Sequence, residues 1–439
     1  MLRIFIAASF LMGVAMAADS PAPATFNKEV LPILQKNCQE CHRPGEVAPM
    51  SFLSYESTRP WAKAIKAAVA TQKMPPWFAD PKYGHFSNER KLTEAQIKTL
   101  VAWADSGAPE GDAKDRPAPM QFQDGWNIKP DMVIEMPNEY ELPATGVIDY
   151  QNFLVKVNFK EDVWIQAAEI RPGNRQVVHH ARAYVVPPGS HFADGAEPGV
   201  AFVKPVGRPT QSAQPRAGAV LAGPSTEILA KWNPGLEAQD FTVEGAAKFI
   251  PKGSDIAFEM HYTTIGKVAT DKTKVGLVLA KTPPNRRYLT SGNLGNSNFT
   301  LKPGDSNAEV REEVVIQDKA DLVWVQPHMH LRGKDYELQA FYPTGESETL
   351  LKAKFDFNWQ LGYEFAKPVE LPKGTRLVGI SHFDNSANNP FNPDSKAEVH
   401  WGRQSFDEMS VGFFSVIVDV NANPAKLIRR AAGTGVALE

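Results

Sequence analysis

The strongest constraint on the fold is a change of period part-way along the chain. Up to about residue 106 the apolar residues recur every three to four positions, and beyond Met132 they recur every second. The first period buries one stripe of a helix and the second buries one face of a sheet, so a helical unit precedes a β unit. Val30, Ile33 and Leu34 mark a helix over 26–37, and Trp61, Ile65 and Val69 mark a second over 57–72, with Pro60 in its opening turn. A third runs over 93–106 with Ile97, Leu100, Val101 and Ala104 as its stripe. Thr93-Glu94-Ala95-Gln96 is its capping box, Leu92 a staple and Gly107 its stop.

Beyond Met132, segments 153–159, 163–167, 275–280, 322–325, 336–341 and 411–418 read as strands. Pro-Gly, Pro-Thr-Gly and Pro-Lys-Gly turns separate them. The 35 Pro and 31 Gly are spread along the chain rather than gathered in one tract, as in a loop-rich β protein. Antiparallel sandwiches are expected, and about 310 residues is long for one. The expected fold is therefore multidomain: a small all-α unit over 25–112, a Pro- and Gly-rich linker over 113–130, and two all-β sandwiches over 131–290 and 291–439.

Charge is balanced, 47 Lys+Arg against 50 Asp+Glu, with no basic stretch that would mark a nucleic-acid footprint. At the N-terminus, Arg3, the apolar run 4–14 and Ala15-Met16-Ala17 form a secretory signal over 1–17. The run is short for a membrane span, and no Cys follows the cleavage site for lipid attachment. An exported protein, periplasmic or secreted, with no stable membrane span after cleavage is expected.

Both cysteines of the chain lie in Cys38-Gln39-Glu40-Cys41-His42. This spacing attaches one haem c covalently, through two thioethers, with His42 as proximal iron ligand. A zinc or thioredoxin-like reading would need a second Cys pair or a βαβ context, and the sequence has neither. Met74, ahead of Pro75-Pro76, is expected as the sixth ligand in preference to Met50. A thioether there favours electron transfer over O₂ chemistry; either Met would otherwise pack against the haem edge.

Five of the ten histidines form a pattern: His179-His180, His261 and His328-Met329-His330, with Met409 following in Asp407-Glu408-Met409. His-x-His on a strand places both rings on one face. Adjacent histidines point to opposite faces and share a metal only at a strand end or kink. A three-nitrogen set and a two-nitrogen, one-sulfur set, without carboxylates, point to two copper ions, because a thioether selects Cu(I). Singly, His261 reads as a core histidine and Met409 as core packing; the order of all six is the specific signal. His85, His191, His382 and His400 receive no role.

On these residues the chain resembles the copper type II, ascorbate-dependent monooxygenases, the family of dopamine β-monooxygenase and peptidylglycine α-hydroxylating monooxygenase. The matching segments are Val178-His179-His180, Met260-His261-Tyr262, His328-Met329-His330-Leu331-x-Gly333 and Asp407-Glu408-Met409, across roughly residues 130–425. The N-terminal part is similar to bacterial cytochrome c domains with a later Met-Pro-Pro-Trp, here Met74 to Trp77. The resemblance implies two jelly-roll-like domains facing a solvent-filled cleft, with one copper on each. His179, His180 and His261 would hold an electron-relay copper, and His328, His330 and Met409 the catalytic copper that binds O₂. It implies hydroxylation of a C–H bond with O₂, with electrons taken from ascorbate. Because a one-electron carrier is fused to the same chain, the haem is expected to replace or relay that reductant, fed by an external donor, either an ascorbate-like reductant or a redox protein. The disulfides of the animal enzymes are absent. Val411 and Phe413 stand where the peptide enzyme carries polar residues, so a small apolar substrate is expected. The same ligands would also suit a periplasmic haem/copper electron-transfer or copper-handling protein that takes up no O₂.

Overall fold

The computed structural model describes residues 24–46, 48–122, 125–203, 226–233 and 238–430, so the expected signal segment lies outside the described residues. The first expected helix opens as a π-helical turn, Phe26–Val30, and continues as the α-helix Leu31–Asn37. The second is interrupted: Tyr55–Thr58 is followed by a 3₁₀ turn at Arg59–Trp61 and then by Ala62–Ala70. Pro60 lies in that tighter turn; with no N–H to give, it suits the opening of a helix rather than its middle. The third is Glu94–Asp105. The Thr93 hydroxyl accepts from the Gln96 N–H at 3.2 Å, and the Gln96 side-chain oxygen accepts from the Thr93 N–H at 2.8 Å, closing the capping box. Phe26, Leu34, Ile65, Leu100 and Trp103 give these helices a core of their own.

The linker region is bonded at both ends. Arg116 donates to Asn27 Oδ1 at 3.0 Å, and Gln35 donates to Ala118 O at 2.9 Å. Further on, the N–H groups of Asn127 and Ile128 donate to the Glu169 carboxylate. A second tie runs to the far end of the molecule. Residues 77–88, between two helices, lie along the strand Tyr363–Leu371 of the long sheet and the strand Ser347–Lys354 of another. The Asp80 N–H donates to Lys352 O at 2.7 Å, Ser87 N–H to Glu364 O at 2.8 Å, and Ala366 N–H to His85 O at 2.8 Å. Trp77 and Phe86 pack on Tyr363, with ring centres 5.0 and 5.4 Å away.

The rest of the chain is mostly β-sheet in sandwich layers. One long sheet runs Met132–Glu135, Lys274–Leu279, Val163–Arg171, Ala246–Ile250, Arg286–Asn296, Ser410–Asp419, Ala320–His328, Tyr363–Leu371. A four-stranded sheet, Gln151–Val155, Asp255–Tyr262, Val178–Val186, Glu227–Trp232, forms the second layer of the first half. A five-stranded sheet that includes Gly333–Phe341 and Arg376–Phe383 does the same for the second half. Each half has its own core, one around Ile165, Phe258 and Leu277, the other around Leu322, Leu338 and Phe414. Ala320–His328 is buried at every position, as its near-continuous apolar run requires of a strand covered on both faces.

The position expected to divide the two sandwiches falls inside the strand Arg286–Asn296. That strand pairs parallel with Ala246–Ile250 of the first half and antiparallel with Ser410–Asp419 of the second. The two halves therefore share one sheet.

Candidate metal centre

The strand Val178–Val186 pairs antiparallel with Asp255–Tyr262, and the register shifts between Val178 and His180. Such a bulge inserts one unpaired residue and re-aims the side chains beside it. It resolves the difficulty of adjacent histidines, since on a regular strand His179 and His180 would face apart. His180 pairs directly across the strands with His261. One ligand atom from each of His179, His180 and His261 lies within 4.8 Å of the other two. Tyr150, buried, stacks on His261 with ring centres 4.6 Å apart.

His328 ends its strand opposite Val411. His330 lies two residues beyond that last pair, and Met409 stands just ahead of the strand Ser410–Asp419. The ring orientations are fixed by neighbours. His328 Nδ1 lies 2.7 Å from the Gln360 side-chain oxygen, and His330 Nδ1 lies 3.3 Å from the Asp407 carbonyl. An amide or carbonyl oxygen only accepts, so Nδ1 donates in both rings and Nε2 keeps its lone pair. The Glu408 carboxyl ties this corner together by accepting from the backbone N–H of His330 at 2.7 Å, Arg332 at 2.6 Å and Met409 at 3.3 Å. Burial pushes Glu408 up to about 8. Met409, Val411 and Phe413 turn toward the first half and pack in its core.

The two sets meet. The rings of His180 and His328 are 6.0 Å apart, centre to centre. Phe357 lies between the sets, stacked on His179 at 4.8 Å and 6.4 Å from His330. His180 Nε2, His261 Nδ1, His328 Nε2 and His330 Nε2 are all buried with no hydrogen-bond partner. Burial lowers His179 and His330 to about 4 and holds His180, His261 and His328 well below the usual imidazole range. Each ring is thus neutral near pH 7, the form that ligates metal. An unpartnered buried nitrogen costs about 1–3 kcal/mol, and a metal ion would satisfy several at once. The residues present therefore fit copper in donor type and protonation. The solvent-filled cleft that the resemblance implies does not separate them, because all of these histidines except His179 are buried.

Beside the cluster, the Phe413 ring lies 5.9 Å from that of His328, and Lys231 Nζ sits 3.4 Å from the Phe413 ring centre. Lys231 also donates to Gln326 Oε1 at 3.1 Å.

The Cys38–His42 segment caps the helix Leu31–Asn37. His42 donates its backbone N–H to Cys38 O, and its ring stacks on Phe52 at 4.3 Å. His42 Nδ1 is buried without a partner. Cys38 and Cys41 form no disulfide, and burial pushes the Cys38 thiol up to about 12. Two unbridged sulfurs beside a half-buried imidazole suit thioether attachment of a haem. Met50 packs against the helical core, whereas Met74 is half-buried in the turn after Ala62–Ala70. Glu46, in the loop just after His42, is gripped by Arg43 at 3.2 Å, Arg171 at 3.6 Å and Arg175. Arg175 lies in the turn that leads into His179.

Sequence reasoning missed Gln360, Phe357 and Tyr150, and it gave Glu408 no role. Gln360 and Phe357 sit in the loop between Ser347–Lys354 and Tyr363–Leu371, where no period or motif marks them. The four remaining histidines lie outside the cluster; His191 pairs with Asp194 and His382 with Asp335, each at 2.7 Å.

No family model matches the chain, and no curated protein does. Among solved structures it is similar to infectious bursal disease virus Gt strain, at 10% identity over 70% of this chain and 78% of that one, with a TM-score of 0.19. It is also similar to an allantoicase, at 12% identity over 56% and 81%, with a TM-score of 0.17. Likeness at that level carries no functional argument. Among the described residues no helix is long and apolar enough to cross a membrane.

Proposed function

We propose that the chain is an exported copper-dependent monooxygenase that hydroxylates a C–H bond of a small, apolar substrate with O₂, supplied with electrons through a haem c on the same chain. The observation that carries this reading is the meeting of five histidines, from three separate stretches between 179 and 330, with four buried and unpartnered ring nitrogens. In this reading His179, His180 and His261 hold one copper, and His328, His330 and Met409 hold the other, each half being a jelly-roll-like domain. Cys38 and Cys41 would carry the haem, and His42 and Met74 would hold its iron. Bound copper supplies one-electron chemistry with O₂, and bound haem supplies one-electron transfer.

The chain's own residues do the rest. Gln360 and the Asp407 carbonyl hold the His328 and His330 rings with Nε2 as the donor. Glu408 fixes the backbone that carries His330 and Met409. Tyr150 and Phe357 stack on His261 and His179, Phe413 meets His328 edge-on, and together these rings shield the cluster from water. Glu46, held by Arg171 and Arg175, keeps the Cys38–His42 loop against the turn before His179, which suits delivery of electrons to the three-histidine set.

The test is copper and haem quantitation on the purified chain, followed by turnover with isotopically labelled O₂ on a panel of apolar substrates. Label in a hydroxylated product, lost in Met409→Ala, is the expected outcome. Two coppers and a haem with no O₂ uptake would replace this reading with that of an electron-transfer or copper-handling protein.

A further inference from the structure

We propose that Lys231 is a positioning residue for His328: its buried amine, acting through Gln326 and Gln360, keeps the His328 ring proton on Nδ1 and the lone pair on Nε2. This rests on the reading that His328 binds copper.

Lys231 is a costly residue to place here. It lies on the strand Glu227–Trp232, paired with Arg182 of Val178–Val186, and is 3% exposed. An amine taken out of water is unfavourable unless it finds partners. Burial holds it well below the usual lysine range, and Arg182 and Lys248 press the same way. Its partners all belong to the second half of the molecule. Nζ donates to Gln326 Oε1 at 3.1 Å and lies 3.4 Å from the Phe413 ring centre and 4.9 Å from that of Trp324. None of these is a histidine, but Gln326 and Phe413 both lead to one.

With its oxygen taken by Lys231, Gln326 has its amide nitrogen left to donate, and it donates to the Gln360 main-chain oxygen at 2.8 Å. The Gln360 side chain is held as well. Asn233 Nδ2 donates to Oε1 at 3.4 Å, and Gln360 Nε2 donates to Phe357 O at 3.5 Å. Asn233 stands two residues on from Lys231, where an extended chain returns to the same face. Gln360 therefore presents its oxygen to His328 Nδ1, at 2.7 Å, and an oxygen there requires the ring proton on Nδ1. Phe413, with Lys231 over its ring, stands edge-on to the same histidine. Without the amine, the Gln326 amide is free to turn and the Gln360 carbonyl loses its fixed donor. A neutral imidazole left to itself favours the proton on Nε2. A ring in that form must shed the proton before this nitrogen can ligate.

The experiment is nitrogen-15 NMR of the full chain, freed of copper and carrying labelled histidine, with His328→Gln to identify the His328 signals. The parent ring should show the Nδ1–H form. Lys231→Met, which keeps the side chain's length and removes the donor, should shift it to a mixture with Nε2–H and leave the His261 ring unchanged. In a Gln326→Met background, Lys231→Met should add nothing, because the link is already cut. Titration with copper alone should then show one equivalent bound about tenfold more weakly and the other unaffected. A parent in the Nε2–H form, or a ring that keeps Nδ1–H in Lys231→Met, overturns the proposal whatever the chain binds. So does a further shift when Lys231→Met is added to Gln326→Met, since the amine would then act by another path. Should Lys231→Met not fold, Gln326→Met cuts the next link and decides by the same signals. A parent that takes up no copper while the ring signals change as expected overturns the proposed function and leaves the positioning of His328 standing.

Discussion

The two histidine sets are assembled by different means. In the first, the backbone does the positioning: a bulge brings His179 and His180 to one side, and a cross-strand pair sets His261 beside them. In the second, the histidines follow one another off the end of a strand, and side chains from elsewhere hold them: Gln360 on His328 and Glu408 on the backbone of His330. A site made by sheet register depends on a whole sheet and tolerates changes in nearby side chains. A site made by a buried polar network depends on a few groups whose removal leaves others unsatisfied.

That contrast can be broken most easily at Glu408. Glu408→Ala leaves three buried N–H groups without their acceptor and should cost about 3–5 kcal/mol of stability. It should also strip copper from the second set while the first keeps its own. Urea unfolding and copper counting check this, and equal loss from both sets would show that they are not built differently.

Acid should affect the two sets alike. His179 and His330 are each held at about 4, whereas a histidine in the unfolded chain titrates near 6.5. Between those values the unfolded chain takes up protons that the folded chain refuses, so stability of the metal-free protein falls as pH drops through this window. Each ring contributes at most about 1.4 kcal/mol per pH unit. His179→Ala and His330→Ala should each flatten the slope of unfolding free energy between pH 6.5 and 4. A variant whose slope equals that of the parent would show that its ring is not held neutral.

Gln360→Leu should weaken copper binding at the second set by about 10- to 100-fold, as loss of a ligand's orienting partner does, with no change at the first. The smallest effect is expected at Glu46. Glu46→Gln should raise amide hydrogen exchange in the turn before His179 and leave exchange around His330 unchanged, since only the first set adjoins the Cys38–His42 loop. Equal changes at both would place the haem segment against the whole centre instead.

The helices were legible because their stripes and caps are local. Thr93 and Gln96 are three residues apart and need nothing else to bond. The histidines were legible as a pattern, but the bulge that makes His179 and His180 usable was not, because it exists only in the register with Asp255–Tyr262. Gln360 was invisible for a similar reason: a glutamine in a loop becomes informative only when a histidine 32 residues earlier is found beside it. The sharing of one sheet by both halves also escaped, since a strand's sequence records how deeply it is buried but not which strands lie at its edges.

The strap at 77–88 bears on how such a chain matures. Ser87 finds its partner, Glu364, 277 residues later in the sequence. During synthesis the helical segment emerges first, yet the surface that receives Trp77 and Phe86 does not exist until most of the chain has followed. These rings must stay uncovered, or chaperoned, through that interval. Deleting the helical segment would in turn leave Tyr363 and Phe365 bare, so a shortened chain should be judged by its solubility before its chemistry.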